Sequence, residues 1–440
     1  MKLNITVDVQ AYRARKLSVT IACYDMVVDL CLEAFNMGNG VRIDDLHATD
    51  MLGQPLAVSI NDRTLQIAAP NYHLRYIVIT DYEQCVGFDL DRVVTYPFID
   101  EAEIFFGTGI IAQPIDISRH ADNVAISFAV VNVPNGWGIY TNLIEPSIDA
   151  GQLDGFFVYS APNLQPTRFQ VQGQQMAIDF HYLVQNGHEV PLAASEVIEF
   201  VERYLSWLEA NLAPYRQLSD IRILFLQAPP DFAARTNQRA GVTGENVQHG
   251  IVAYGPADDT YWQERFGYSG YRFFLLDGLA HEIMHFYTTT AWQGRYKSVL
   301  VAGENCPPAD ARLIGEALNL YFSRQFVYDY VGEPRRFYTE AIAYYLNLPP
   351  TRKNPFLDLL LLDMALQEQG QSLLTVFQAM LARPPIIYES ARILTDKLPE
   401  SLRASILDSA IPDYRHEVGQ VLSKLGYQVI TTPTGRVGVL

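Results

Sequence analysis

Residues 271–290 read YRFFLLDGLAHEIMHFYTTT, an apolar run that closes on His281-Glu282-Ile283-Met284-His285. The run predicts a helix with the motif HExxH in its middle. On a helix, positions i and i+4 lie on one face, one turn apart. His281 and His285 can therefore aim two imidazole nitrogens at one point. Zinc takes such donors at about 2.0–2.2 Å, converging on the ion. Glu282 sits about 100° around the helix from His281. That displacement makes it a poor ligand but lets it reach a water held by the metal, as a general base. With nine histidines in the chain, HExxH arises by chance in on the order of 1% of such sequences.

A catalytic zinc has three protein ligands and one open position. The third ligand is expected on a neighbouring element. Glu316 in LIGEALNLYF is the best-placed acid, among apolar neighbours and 31 residues after His285. Alone it also fits an ordinary solvated helix face; beside HExxH, metal ligation is the stronger reading, since zinc would compensate its burial. Asp277, four residues before His281, and Asn319, one turn beyond Glu316, could each hold an imidazole N–H or lie on a helix surface.

Outward from the motif, residues 1–175 carry short alternating or β-branched segments, among them LNITVDV, LSVTIAC, YIVITDY and VAISFAVV. Turn residues separate them, as in NMGNG and NVPNGWG. This pattern predicts a sandwich-like two-sheet domain. The pattern changes near residue 193. AASEVIEFVERYLSWLEANLAPY spaces Val197, Ile198, Val201, Tyr204, Leu205, Leu208 and Leu212 helically, with Ser195 as the N-cap and Glu199 in the first turn. IRILFLQ (221–227) reads as a buried strand and GIVAYG (250–255) as an apolar island. Residues 336–426 are largely helical in pattern.

At 440 residues, several domains are expected. The formal net charge of -17 argues against nucleic acid and anionic lipid as partners. The four cysteines, Cys23, Cys31, Cys85 and Cys306, form neither a CxxC pair nor a disulfide framework. No signal peptide is visible at the N-terminus, and the run FLDLLLLDMAL is too short and too charged to span a bilayer. A cytoplasmic, membrane-free protein is the default expectation; the sequence leaves the oligomeric state open.

HEIMHFY followed by GEALNLYF resembles the HExxH…E pattern of gluzincin peptidases. Within them the chain most resembles the M61 (glycyl aminopeptidase) family. That family's EGFTSYY-type segment is matched by Glu316-Ala-Leu-Asn-Leu-Tyr-Phe322, its KGALVALLLDLELR-type helix by Lys353 to Leu366, and its SLDDVMRAL-type segment by Ser372 to Leu381. The resemblance implies Zn2+ as cofactor and a peptide as substrate. The family's GGLEH-type motif, whose glutamate holds the substrate amine, corresponds here to Asn246-Val-Gln248-His249. Gln248 and His249 are thus implied as substrate-binding residues, with an amide where the family has the acid. The family's assisting tyrosine aligns near Thr351, so Tyr344 and Tyr345, slightly upstream, are the catalytic candidates beside Glu282.

The fold expected is α+β and multidomain. It comprises a β-sandwich-like N-terminal domain (1–175), a thermolysin-like zinc catalytic domain (176–335) and a helical C-terminal region (336–440). The function expected is zinc-dependent peptide hydrolysis, aminopeptidase-like. The alternative is an inactive zinc-binding scaffold acting through protein interaction.

Overall fold

The computed structural model describes residues 2–25, 29–32, 41–62, 64–80, 102–115, 125–143, 156–173, 177–184, 192–212, 220–228, 243–247, 250–266, 269–287, 317–348, 354–382 and 413–440. The chain divides into two compact units. One comprises Met1–Arg168, Phe180–Val190 and Asp220–Ala257; the other comprises Phe169–Asp179, Pro191–Ser219 and Asp258–Leu440. Residues 258–440 thus fall in one unit, across the boundary expected at 335.

The first unit is built on alternation. In Lys2–Asp8 the residues Leu3, Ile5 and Val7 turn inward and their neighbours outward, the period-two pattern of a strand covered on one face. This strand pairs in parallel with Ala125–Val131 and antiparallel with Lys16–Tyr24. Tyr72–Thr80, Val41–Thr49 and Pro55–Leu56 complete a six-stranded sheet. A four-stranded sheet runs in the order Gln113–Pro114, Leu30–Cys31, Thr64–Ile67, Val58–Asn61. The two sheets share one core: Ile5, Val19 and Ile21 of the larger cluster with Leu30, Leu65 and Ile67 of the smaller. Packing of two sheets about a common core is what the alternating segments predict. Cys23 is a free thiol within it, and burial pushes its pKa up to about 12.

Trp137–Thr141, Phe157–Pro162 and Glu103–Phe106 form a further sheet. Another holds Asp220–Ala228 parallel to Gly250–Pro256, with Thr243–Val247 antiparallel at its end. The apolar island of the sequence is this inner strand. A Cβ on Gly250 would lie 2.7 Å from the Phe157 ring and 2.9 Å from Asn142 Cβ, so the close approach requires glycine.

The second unit is helical. Its helices are α1 (Ala194–Asn211), α2 (Asp259–Phe266), α3 (Tyr271–Tyr287), α4 (Leu318–Tyr330), α5 (Ala343–Leu346), α6 (Pro355–Gln367), α7 (Leu373–Ala382) and α8 (Tyr414–Lys424). α1 buries Val197, Val201, Tyr204, Leu205 and Leu208 of the stripe its periodicity predicts; Ile198 is only half-buried, and Phe200 is buried beside them. It begins at Ala194 with Ala193 as N-cap and no side-chain cap, so Ser195 lies inside the first turn. Glu196, in that turn, pairs with Arg272. A π-helical turn, Phe337–Ile342, precedes α5. The chain closes on a hairpin, Val429–Thr431 with Val437–Val439. Asn347 fixes this hairpin, donating to Val437 O (2.8 Å) and accepting from Val437 N (2.8 Å). Among the described residues, no helix is long and apolar enough to cross a membrane.

Candidate metal centre

α3 carries the HExxH motif, and its start is set by the preceding residues. Gly270 adopts φ +129°, and a Cβ there would fall 2.6 Å from Asp259 Oδ1. Glycine at 270 lets Asp259 accept a hydrogen bond from Tyr271 N at 2.7 Å and cap α3 from α2. Trp262 of α2 stacks on Phe274 of α3 with ring centroids 3.8 Å apart.

From Phe273 to Met284, only Gly278 and His281 are half-buried; the others are buried. These two positions share one face of the helix. A Cβ built on Gly278 meets no atom within 4 Å, so open space lies along this strip. The His281 side chain is 16% exposed and that of Glu282 is 5% exposed. His281 Nε2 lies 4.0 Å from Glu282 Oε1. The helix thus brings an imidazole and a buried carboxylate together at the opening. His285 follows one turn further along α3. Glu316, Gln248, His249 and Thr351 lie outside the described residues.

Tyr344 and Tyr345 sit in α5, their rings 5.2 Å apart. The Tyr345 hydroxyl accepts from Arg324 Nη1 at 3.2 Å, and its ring stacks on Phe356 at 4.3 Å. Burial is the chief cause that raises the Tyr345 phenol above its ordinary pKa. Asp277 and Asn319 are both buried, not surface residues. Asp277 Oδ2 accepts from Arg324 Nε at 3.2 Å and Nη2 at 3.1 Å. Sequence reasoning alone assigned Arg324 no role. The signal available was its spacing, since positions 316, 320 and 324 would share one face of a helix.

The residue types suit zinc: two histidines one turn apart in the sequence of α3, with Glu316 the third ligand expected from the sequence. A second observation agrees. Asp277 Oδ1 is buried, one turn before His281, and makes no hydrogen bond among the described residues. A metal-bound histidine needs an acceptor of this kind for its other ring N–H. Among the described residues, no group of three or more His, Cys, Asp or Glu gathers as a metal site.

No family model and no curated protein matches the chain. Solved structures do match, and they define the class of fold. An aminopeptidase N family protein from Idiomarina loihiensis superposes with a TM-score of 0.67 at 12% identity, over 98% of this chain and 79% of that one. The M1 zinc metallopeptidase from Deinococcus radiodurans superposes with a TM-score of 0.52 at 12% identity, over 92% of this chain and 91% of that one. A mutant of the same protein bound to a Tyr-Ser-Ala substrate gives 0.50 at 13% identity, over 94% of each chain. The chain therefore shares the fold of M1 zinc metallopeptidases: mixed α/β and multidomain, with a β-rich N-terminal region and a helical C-terminal part.

Proposed function

We propose that this chain is a zinc-dependent peptidase of the gluzincin type, with an aminopeptidase-like preference for free peptide N-termini. His281, His285 and Glu316 would hold the metal. Two lines support this: the HExxH…E pattern, which resembles M61, and a fold shared with M1 zinc metallopeptidases. Both are gluzincin groups, so the class does not depend on choosing between them. The solved neighbour with a Tyr-Ser-Ala substrate is the support for a peptide ligand.

Bound zinc supplies a lowered pKa for a coordinated water and polarisation of the scissile carbonyl. Glu282 takes the proton of the attacking water and delivers it to the leaving amine. Its surroundings suit this task, since it is buried and its Oε1 lies 4.0 Å from His281 Nε2. Gln248 would accept a hydrogen bond from the substrate ammonium without supplying charge, and His249 would line the same pocket.

The observation that carries the reading is the pairing of buried Glu282 with half-buried His281 on α3, 4.0 Å apart. The test is zinc content and peptide hydrolysis in the wild type and in Glu282→Gln. The expected result is zinc in both, with turnover lost by about 100-fold or more in the variant, as befits a general base. Equal turnover in both removes Glu282 from the mechanism. Zinc with no turnover of any peptide by the wild type would favour the scaffold alternative.

A further inference from the structure

Two contacts fix how α3 and α4 pack. Phe273 meets Tyr328 with centroids 4.5 Å apart, and one turn on Asp277 meets Arg324 at 3.1 Å. Four residues forward on α3 correspond to four back on α4, so the helices run antiparallel. Continued along the described helices, the same count pairs 281 with 320. The ion pair thus lies one turn from the first metal-ligand position.

This pair is chemically unusual for its place. Asp277 is 1% exposed and Arg324 is 5% exposed at the side chain. The guanidinium also lies over the rings of Tyr345 (5.6 Å) and Phe356 (5.8 Å), and donates to the Tyr345 hydroxyl. Burying two charges gives little net stability and is often matched by an apolar pair of similar size. What it does give is a fixed register, because Arg324 loses several directed bonds at once if the helices slide. A zinc site needs that register, since its ligands must converge within tenths of an ångström.

We propose that Asp277, Arg324 and Tyr345 form a positioning clamp that sets the α3–α4 register and through it the spacing of the zinc ligands. The clamp rests on the gluzincin reading above. It assigns Tyr345 to positioning rather than to the reacting centre.

The test compares the wild type with Asp277→Leu/Arg324→Met, which replaces both charges together, and with Tyr345→Phe. Two quantities are measured: zinc affinity by competition with a chromophoric chelator, and the thermal midpoint of the metal-free protein. In the double variant the expected result is a metal-free midpoint near that of the wild type and zinc affinity lower by about 10- to 100-fold. Tyr345→Phe should lose less. A merely structural role would lower the metal-free midpoint and leave the affinity of the folded protein unchanged, and that result overturns the clamp. If the double variant does not fold, Arg324→Lys keeps the charge but loses the fork; unchanged zinc affinity in it also overturns the clamp. A wild type that takes up no zinc removes the gluzincin reading itself, and the clamp with it. Zinc in the wild type with undiminished affinity in the variants leaves that reading standing and removes only the clamp.

Discussion

Glu103 is a carboxyl group placed in a buried strand position. It is 4% exposed, in the strand Glu103–Phe106, with Ser160 directly opposite. Neither Glu103 Oε2 nor Ser160 Oγ makes a hydrogen bond among the described residues. Burial pushes the Glu103 pKa from 4.5 up to about 7, against the smaller opposing pull of Arg13. The folded state therefore keeps a proton that the unfolded chain has released across that window. Stability falls as pH rises from about 4.5 to 7, and the loss persists above it. The full effect is at most about 3 kcal/mol. Glu103→Gln removes the charge and should be more stable than the wild type above neutral pH, with little difference near the lower end of the window. Denaturant unfolding across the window checks it; parallel profiles for the two proteins would count against a raised Glu103 pKa.

At the scale of elements, α6 explains two acids that interrupt an apolar run. Asn354 caps it, accepting from Phe356 N at 3.2 Å and Leu357 N at 3.3 Å, with Pro355 following. Asp358 accepts from the Tyr414 hydroxyl at 2.9 Å, tying α6 to α8. Asp363 accepts from Leu373 N at 3.0 Å and from the Tyr321 hydroxyl at 3.1 Å, so it holds the start of α7 and the side of α4. Asp363→Ala leaves both donors without their acceptor and should cost about 1–3 kcal/mol. Asp363→Asn keeps an acceptor oxygen and should cost less. Chemical denaturation distinguishes them, and a loss no larger than for alanine at exposed Asp329 would show the bonds to be unimportant. These bonds also mark the limit of the sequence. The core stripe of α1 and the helix around HExxH were legible, because periodicity depends only on neighbours along the chain. The partners of Asp277, Asp358 and Asp363 were not, because each sits on another helix. Ser195 failed as an N-cap because the entry at Ala193 leaves α1 starting two residues earlier. The π-helical turn at 337–342 was equally hidden, since its sequence reads as ordinary helix.

Across the whole molecule, His281, His285 and Glu316 all belong by number to the second unit, which contains Asp258–Leu440. The first unit supplies none of the three. The sequence divided the chain by pattern, at 175 and 335, whereas compactness groups the segments that pack together, so 169–179 and 191–219 join 258–440. A ligand that binds only the folded state stabilises what carries its donors. At a hundredfold excess over its Kd, zinc should contribute about 2.7 kcal/mol. Hydrogen exchange with zinc and with chelator locates that gain. The rise in protection should be greatest for amides of α3 and α4 and smaller for a first-unit strand such as Lys16–Tyr24, whose amides lie far from the donors in sequence and in a separate unit. His281→Ala should abolish the difference between the two conditions while leaving the chelated profile unchanged, because its effect acts through the metal. A zinc-dependent rise of equal size in Lys16–Tyr24 and α3, or one that survives His281→Ala, would place the metal's influence elsewhere than on the HExxH helix.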